Sequence, residues 1–130
     1  MLKAHVLNDR ICAHFNNAAH VMEVPPNARL LFCNGQVGAR PDGSVPEDKG
    51  EQLGVIFERI GEILSAADMT FSDIVRLTVY YTDHAILEPY NRIHQRVMGD
   101  HNPPAILLIV EGFPRLGVAV EIEAIAAKAG

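Results

Sequence analysis

Two segments of this chain repeat their apolar residues at steps of three and four positions, the period of an α-helix that buries one face. The first runs from Glu51 to Ala67 and is expected to begin near Pro46-Glu47, with acidic side chains in its first turn. The second runs from about Ala85 to Met98, where Gly99 is suited to end a helix. Each helix stands between segments of strand character, which predicts a mixed α+β fold.

Six further segments have the composition of β-strands. Four are strong because they are rich in apolar, β-branched or aromatic residues, and two weaker ones precede Pro25. The predicted order is β-β-β-α-β-α-β-β, a six-stranded mixed sheet with both helices on one face. The strong segments are Ala28 to Asn34, Ile74 to Thr82, Ala105 to Val110 and Gly117 to Ala127, and the weak ones lie around Lys3 to Leu7 and Ala18 to Val24.

The face of this sheet that the helices leave uncovered raises a physical problem. The segment from Ala105 to Val110 is apolar on both faces, and most of residues 29–33 is apolar too. A lone subunit would therefore expose a large apolar patch to water. The sequence thus predicts self-association, without giving the number of copies.

Charge and segment lengths exclude several classes of protein. The formal net charge is −5 and no basic stripe is visible, so nucleic acid is not expected as a partner. The apolar runs are too short to span a bilayer, and Met1 to His5 has no secretory signal character, so we expect one domain of 130 residues in the cytoplasm. Cys12 and Cys33 are expected to be reduced thiols, and their surroundings do not predict a metal site.

Several segments, taken in their order and spacing, resemble one family of small proteins. Leu31 to Val37 resembles a strand that ends in Ser-Gly-Gln-Ile or Ser-Gly-Gln-Val, and Phe71 to Asp83 resembles a signature that contains Asp-Val-Val-Lys-Thr-Thr-Val. Tyr90 to Gly99 resembles a helix with the pattern Asn-x-x-Tyr-x-x-Phe-Phe. Pro104-Ala105 and Val120 to Ala126 complete the likeness, which covers nearly the whole chain. The family that the chain resembles is RidA/YjgF.

This resemblance implies both a fold and an activity. The fold is chorismate-mutase-like, a six-stranded sheet backed by two helices, and it assembles as a homotrimer with small-molecule clefts between subunits. Family members with a full site hydrolyse reactive enamines and imines, derived from amino acids, to 2-keto acids and ammonia. The resemblance implies no metal and no organic cofactor.

One position departs from the family's pattern. The family has an Arg after Pro-Ala, and its guanidinium binds the substrate carboxylate through two parallel hydrogen bonds. Here Ile106 follows Pro104-Ala105, and Leu107 comes next. Hydrogen bonds to charged groups contribute about 1.5–3 kcal/mol each, so carboxylate binding is expected to be much weaker. Ile106 and Leu107 are predicted to line an apolar cleft.

The other site residues implied by the resemblance each have an ordinary structural alternative. Glu121 falls on the family's Glu, which is thought to activate the attacking water, but it could equally be a solvated or interface residue. Glu123 faces the same side, so one of the two could be purely structural. Asn34 and Gly35 replace Ser-Gly, and the N–H of Gly35 could bind a ligand oxygen, although both residues are also common in turns.

Two candidates are placed less firmly by the resemblance. His20 falls near the family's first hairpin and is a candidate for the mouth of the cleft, with His14 as a second choice. Arg115 precedes the last strand and could supply a replacement cation to an anionic ligand. The alternatives are a surface histidine and a solvated turn arginine.

These observations leave four functional hypotheses. The first is a hydrolase of a small imine, enamine or related metabolite that works without the carboxylate clamp. The second is a trimer that binds a small molecule without catalysis. Endoribonuclease activity, a label attached to part of the family, is disfavoured by the negative charge. Chorismate-mutase-like activity is suggested by architecture alone.

Overall fold

The computed structural model describes residues 1–14 and 17–130, and within them the predicted order of strands and helices is confirmed. The strands and helices lie close to the predicted segments because each segment has the apolar period that its element needs. The elements are β1 (Lys3–His5), β2 (Val21–Glu23), β3 (Ala28–Val37), α1 (Lys49–Ala66), β4 (Ile74–Tyr81), α2 (Leu87–Met98), β5 (Ala105–Ile109) and β6 (Val120–Ala129).

The strands form two sheets rather than the single six-stranded sheet predicted. One is a mixed four-stranded sheet in the order β3-β6-β4-β5, in which only β4 and β5 are parallel, and α2 connects them. The other is the antiparallel pair β1-β2. Pro25 and Pro26 follow β2 and have no N–H to donate to a neighbouring strand. Asn27 then turns the chain at a φ of 64°, so β3 begins without continuing the pairing of β2.

Both helices end close to their predicted positions, and each begins a little later. A 3₁₀ turn, His84–Ile86, precedes α2, and the side chain of Asp83 caps it by accepting from the N–H of Ala85 at 2.9 Å. Asp83 also binds Lys49 at the start of α1, at 2.6 Å. The bond from Ala85 and then Lys49 lower the pKa of this carboxyl. Gly99 ends α2 with a φ of 61°, as its position in the sequence predicts.

The core lies between the two helices and one face of the four-stranded sheet. Side chains alternate over residues 77–81 of β4 and 120–126 of β6, so every second residue there points at the helices. The opposite face of the sheet is left without helical cover. Side chains fully buried in this core include Leu53, Ile56, Ile60, Leu64, Leu77, Val79, Val120 and Ile122.

One buried polar side chain joins two loops to the core. Gln52 of α1 is 1% exposed, and its amide donates to the carbonyl oxygens of Pro46 at 2.9 Å and Gly117 at 2.8 Å. Its Oε1 accepts from the N–H of Ala119, the residue just before β6, at 2.9 Å. Three backbone groups of these two loops therefore have their hydrogen bonds from one side chain.

Replacing Gln52 with Leu tests this dependence. Leu keeps the volume but leaves the N–H of Ala119 and two carbonyl oxygens without partners, and buried unpaired groups cost about 1–3 kcal/mol each. We expect the free energy of unfolding to fall by about 2–4 kcal/mol in urea denaturation. Gln95→Leu on the exposed side of α2 is the control and should change it little. Equal midpoints for the two variants would contradict the role of Gln52.

None of the helices in the described ranges 1–14 and 17–130 has the length and apolar character needed to cross a bilayer.

Candidate functional site

The face of the four-stranded sheet that no helix covers, here named the open face, combines exposed apolar side chains with carboxylates. Cross-strand pairs fix its rows: Glu121 is opposite Tyr80, and Tyr80 is opposite Leu108. Phe32 is 70% exposed and Leu30 is 55% exposed, which is unusual for strand residues of this size. The open face carries Leu30, Phe32 and Asn34 of β3, Glu121, Glu123 and Ile125 of β6, Arg76, Thr78 and Tyr80 of β4, and Ile106 and Leu108 of β5.

A β-bulge interrupts β3 at Asn34 and Gly35. Cys33 pairs with Ala124 and Gln36 pairs with Ile122, so β3 contains one residue more than β6 over this stretch. Side chains supply bonds at the bulge: Asn34 Oδ1 accepts from the N–H of Gly35, and Gln36 Nε2 donates to the carbonyl oxygen of Asn34, both at 2.9 Å. Bulges re-aim the chain and are frequent beside functional sites.

The carboxylate of Glu121 lies directly against this bulge. A Cβ atom added at Gly35 would lie 2.2 Å from Glu121 Oε2 and 2.9 Å from its Cδ, so the present position of the carboxylate requires glycine. The structure therefore brings Glu121 against Asn34 and Gly35, the neighbouring pair that the resemblance also implies for the site. The N–H of Gly35 is occupied by the side chain of Asn34 and does not point freely toward a ligand.

Glu123, the second carboxylate of β6 on this face, has a different partner. The hydroxyl of Tyr80 donates to Glu123 Oε1 at 3.0 Å. This hydrogen bond is the largest cause of the raised pKa of Tyr80, and partial burial and the negative charges of Glu123 and Glu121 add to it. The two carboxylates thus differ: Glu123 binds a phenol, whereas Glu121 faces the bulge. Sequence analysis missed Tyr80, because only the register of β4 against β6 reveals the pair.

Ile106 and Leu107 lie on opposite faces of β5. Ile106 is on the open face, 39% exposed, in one row with Thr78 and Glu123. With neighbouring strands about 4.8 Å apart, its backbone is about 10 Å from that of Glu123. Leu107 points to the helices and packs against the core, because side chains alternate along a strand. The structure does not bring Leu107 to the other candidates.

Leu107 instead lines a cavity of about 570 Å³ on the helix-covered side, between α2 and β5. Tyr90 and His94, whose ring centroids are 5.6 Å apart, form part of its wall. Burial raises the pKa of Tyr90. Burial, and then the charge of His101, lower the pKa of His94, which favours the neutral imidazole. His14, the second choice for the mouth of the cleft, lines this cavity as well and so lies on the helix-covered side, away from the open face.

His20 and Arg115 both bind backbone groups of their own chain. The N–H of Leu7 donates to His20 Nδ1 at 3.0 Å, and His20 Nε2 lies 2.9 Å from the carbonyl oxygen of Cys12, a pattern that fits the neutral Nε2–H tautomer. Arg115 donates to the carbonyl oxygen of Gly43 and so ties two loops together. Within the described part of the chain, neither hydrogen-bonds to Asn34, Gly35 or Glu121.

No group of three or more His, Cys, Asp or Glu side chains within residues 1–14 and 17–130 is arranged to hold a metal ion. The polar groups on the open face are the carboxylates of Glu121 and Glu123, the phenol of Tyr80, the amide of Asn34, and the guanidinium of Arg76 and hydroxyl of Thr78.

A family model described as endoribonuclease L-PSP matches residues 9–128. Among curated proteins, the chain is 34% identical over 102 residues to a RutC family protein from Aquifex aeolicus, covering 76% of this chain and 81% of that one. It is 29% identical over 103 residues to TdcF from Escherichia coli, provisionally named a reactive intermediate deaminase, covering 76% and 79%. The match thus spans most of both chains in each comparison.

Solved structures agree with this picture. A protein of unknown function of the Rid family from Yersinia pestis superposes with a TM-score of 0.76 at 26% identity, over 85% of this chain and 86% of that one. A Thermotoga maritima protein, provisionally named an endoribonuclease, gives 0.73 at 29% identity over 98% and 99%.

Replacing Gly35 with Ala tests the contact with Glu121. The new methyl group meets the end of a flexible side chain, so we expect the carboxylate to turn away while stability changes by less than about 1 kcal/mol. Gly38→Ala is the matched control: its Cβ would lie 2.7 Å from backbone atoms of Gln52, which cannot move aside, so a loss of about 1–3 kcal/mol is expected. Thermal unfolding and a crystal structure of Gly35→Ala give the two measurements. A structure with Glu121 unmoved would contradict the contact.

Proposed function

The chain belongs to the RidA/YjgF family, and from this premise we propose that it binds a small metabolite at Asn34, Gly35 and Glu121 in clefts between the subunits of a homotrimer. The observation that carries the proposal is the Glu121 carboxylate, held against the bulge at Gly35 on a face that no helix covers. A general base on a rigid strand, next to an exposed surface, is the arrangement that a hydrolytic site needs.

The proposed reaction is hydrolysis of a carbon–nitrogen double bond, with Glu121 acting on water. Glu121 accepts a proton from the water as its oxygen attacks the imine carbon, and the proton is then delivered to the nitrogen. The hydroxyl proton of the resulting carbinolamine then passes to its nitrogen as the C–N bond breaks and the C=O bond forms, so an imine and one water give a carbonyl compound and ammonia. An enamine enters the same reaction after it tautomerises to the imine. This sequence needs no metal and no organic cofactor.

Ile106 defines the kind of ligand that this cleft is proposed to take. An exposed isoleucine on the open face offers no hydrogen bond to a carboxylate. The ligand is therefore a small imine, enamine or keto-acid-like molecule whose binding does not depend on a guanidinium clamp. Activity toward 2-iminobutanoate or 2-iminopropanoate is expected to be low for the same reason.

Self-association supplies the second wall of the proposed cleft. Leu30, Phe32 and Leu108 are each at least 45% exposed on the open face, and burying such side chains stabilises by about 1.5–3 kcal/mol each. A second copy that covers this patch removes it from water and encloses the part of the open face that carries Glu121. A cytoplasmic location, expected from the sequence, stays a prediction.

A second candidate function is ligand binding without catalysis, as in a regulatory trimer. It is favoured by the N–H of Gly35, which already donates to Asn34 and leaves no free donor there for an oxyanion. Endoribonuclease activity, the name given to the matching family model, fits less well. The net charge of −5 and two carboxylates on the open face would repel a phosphate backbone.

Replacing Ile106 with Arg tests the deaminase-like chemistry. We expect the unmodified chain to release little ammonia from 2-iminobutyrate generated in situ. Ile106→Arg should raise the rate by at least about 10-fold, because each charge-assisted hydrogen bond is worth about 1.5–3 kcal/mol. Ile106→Lys provides a cation without the two-pronged geometry and should gain less. If Ile106→Arg gains activity and adding Glu121→Gln does not remove it, the proposed role of Glu121 is wrong.

The state of association is tested by Phe32→Glu. We expect the unmodified chain to sediment as a trimer at micromolar concentration, and a charge in place of Phe32, the most exposed apolar side chain of the open face, to dissociate it. Leu116→Glu is the matched control, since Leu116 is 93% exposed in a loop and its replacement should leave the trimer intact. Sedimentation velocity separates these outcomes. A monomeric unmodified chain would rule out clefts between subunits.

A further inference from the structure

We propose that Arg59 of α1 is a positioning residue for this site, acting through Gln36 on the bulge at Asn34 and Gly35. The inference rests on the proposed function, because it assigns a purpose to the position of Glu121. Arg59 lies on the helix side of the sheet and has no hydrogen bond to Glu121 among the described residues. It is therefore not a catalytic residue, and its influence is transmitted by one buried amide.

The bulge depends on the side chain of Gln36. The extra residue of β3 takes backbone groups out of the regular ladder with β6. Gln36 Nε2 provides the carbonyl oxygen of Asn34 with a donor at 2.9 Å. Gln36 is only 7% exposed, so water cannot easily replace this bond if the amide is lost or turned over.

Arg59 fixes the orientation of the Gln36 side-chain amide. Arg59 Nε donates to Gln36 Oε1 at 3.0 Å, and Arg59 Nη1 donates to the carbonyl oxygen of Ala39 at 2.8 Å. With Oε1 held by the guanidinium, the NH₂ group must face Asn34. The reversed amide would place an oxygen against the oxygen of Asn34 and an NH₂ against Arg59, so both contacts would be repulsive.

The Glu121 carboxylate is in contact with the same bulge. The carboxylate lies so close to Gly35 that even a hydrogen-to-methyl change would displace it. A shift of the bulge therefore moves the space that Glu121 occupies. Displacing a reacting group by about 1 Å can reduce a rate by about 100-fold. Arg59 and Gln36 thus define the geometry of the site from beneath the sheet.

Gln36→Glu separates a positioning role from a merely structural one. The carboxylate keeps the contact with Arg59 and turns it into an ion pair, which offsets the lost bond to Asn34, so we expect the melting temperature to change little. It has no donor for the oxygen of Asn34, so the bulge loses its support. In the Ile106→Arg background, kcat for ammonia release from 2-iminobutyrate should fall by about tenfold while KM stays within about twofold.

Two variants of Arg59 complete the test. Arg59→Met removes both donors and should lower kcat to a similar extent. Arg59→Lys keeps the charge, but one ammonium group cannot bind two acceptors in the fixed directions of a guanidinium. We therefore expect kcat of Arg59→Lys to stay close to that of Arg59→Met. Arg92→Met is the control, because Arg92 is exposed on α2 and binds only Glu88 among the described residues.

A readout that needs no activity keeps this inference separate from the proposed function. In the otherwise unmodified chain, hydrogen exchange of the Gly35 amide, measured by NMR, should accelerate in Gln36→Glu and Arg59→Met but not in Arg92→Met. If Ile106→Arg shows no ammonia release, the proposed reaction fails, and the exchange rates alone decide the role of Arg59. Unchanged exchange at Gly35 in both variants overturns the inference, as does an unchanged kcat wherever activity is measurable.

Discussion

Two helices can cover only one face of the four-stranded sheet, and the character of the molecule follows from the face that they leave. Alternation along β4 and β6 sends Leu77, Val79 and Ile122 into the core under the helices. The same alternation sends Tyr80, Glu121 and their neighbours outward. Because side chains alternate, burial of the core-facing residues also places their neighbours on the open face. The core and the candidate site are two faces of one pattern.

The pairing of β3 with β6 is broken at one point, and the proposed site lies there. Without the extra residue at Asn34 and Gly35, β3 would continue in register with β6, and Glu121 would face an ordinary strand. The bulge instead presents a residue without a Cβ where the carboxylate lies. Such a break needs replacement hydrogen bonds, which come from Asn34, Gln36 and, through Gln36, Arg59. The bulge in β3 is therefore held by hydrogen bonds that lead to a side chain of α1.

The sequence predicts the helices and strands but not the contacts between strands distant in the chain, and the reason is physical. Apolar periodicity predicts the helices and the strong strands, since each must bury one face. Glu121, Asn34 and Gly35 follow from the family resemblance, which does not reveal the contact between Glu121 and Gly35. Register is set by pairing between strands distant in the chain, so neither the bulge nor the bond between Tyr80 and Glu123 could be read locally. The separation of β1 and β2 from the main sheet also depends on long-range pairing.

Association through the open face would change the chemistry of Glu121 as well as shield apolar surface. Leu108 ends the row that contains Tyr80 and Glu121, and Phe32 lies two rows away on the same face, opposite Ile125. A second copy seated on them would exclude water around the carboxylate, and electrostatic interactions strengthen as the effective dielectric constant falls. Glu123 already has a hydrogen-bond donor in Tyr80, so it is the better prepared of the two for enclosure. Glu121 would then be the carboxylate available to a ligand in the cleft. Gly35 leaves space for it, and the N–H of Gly35 donates to Asn34 rather than to Glu121.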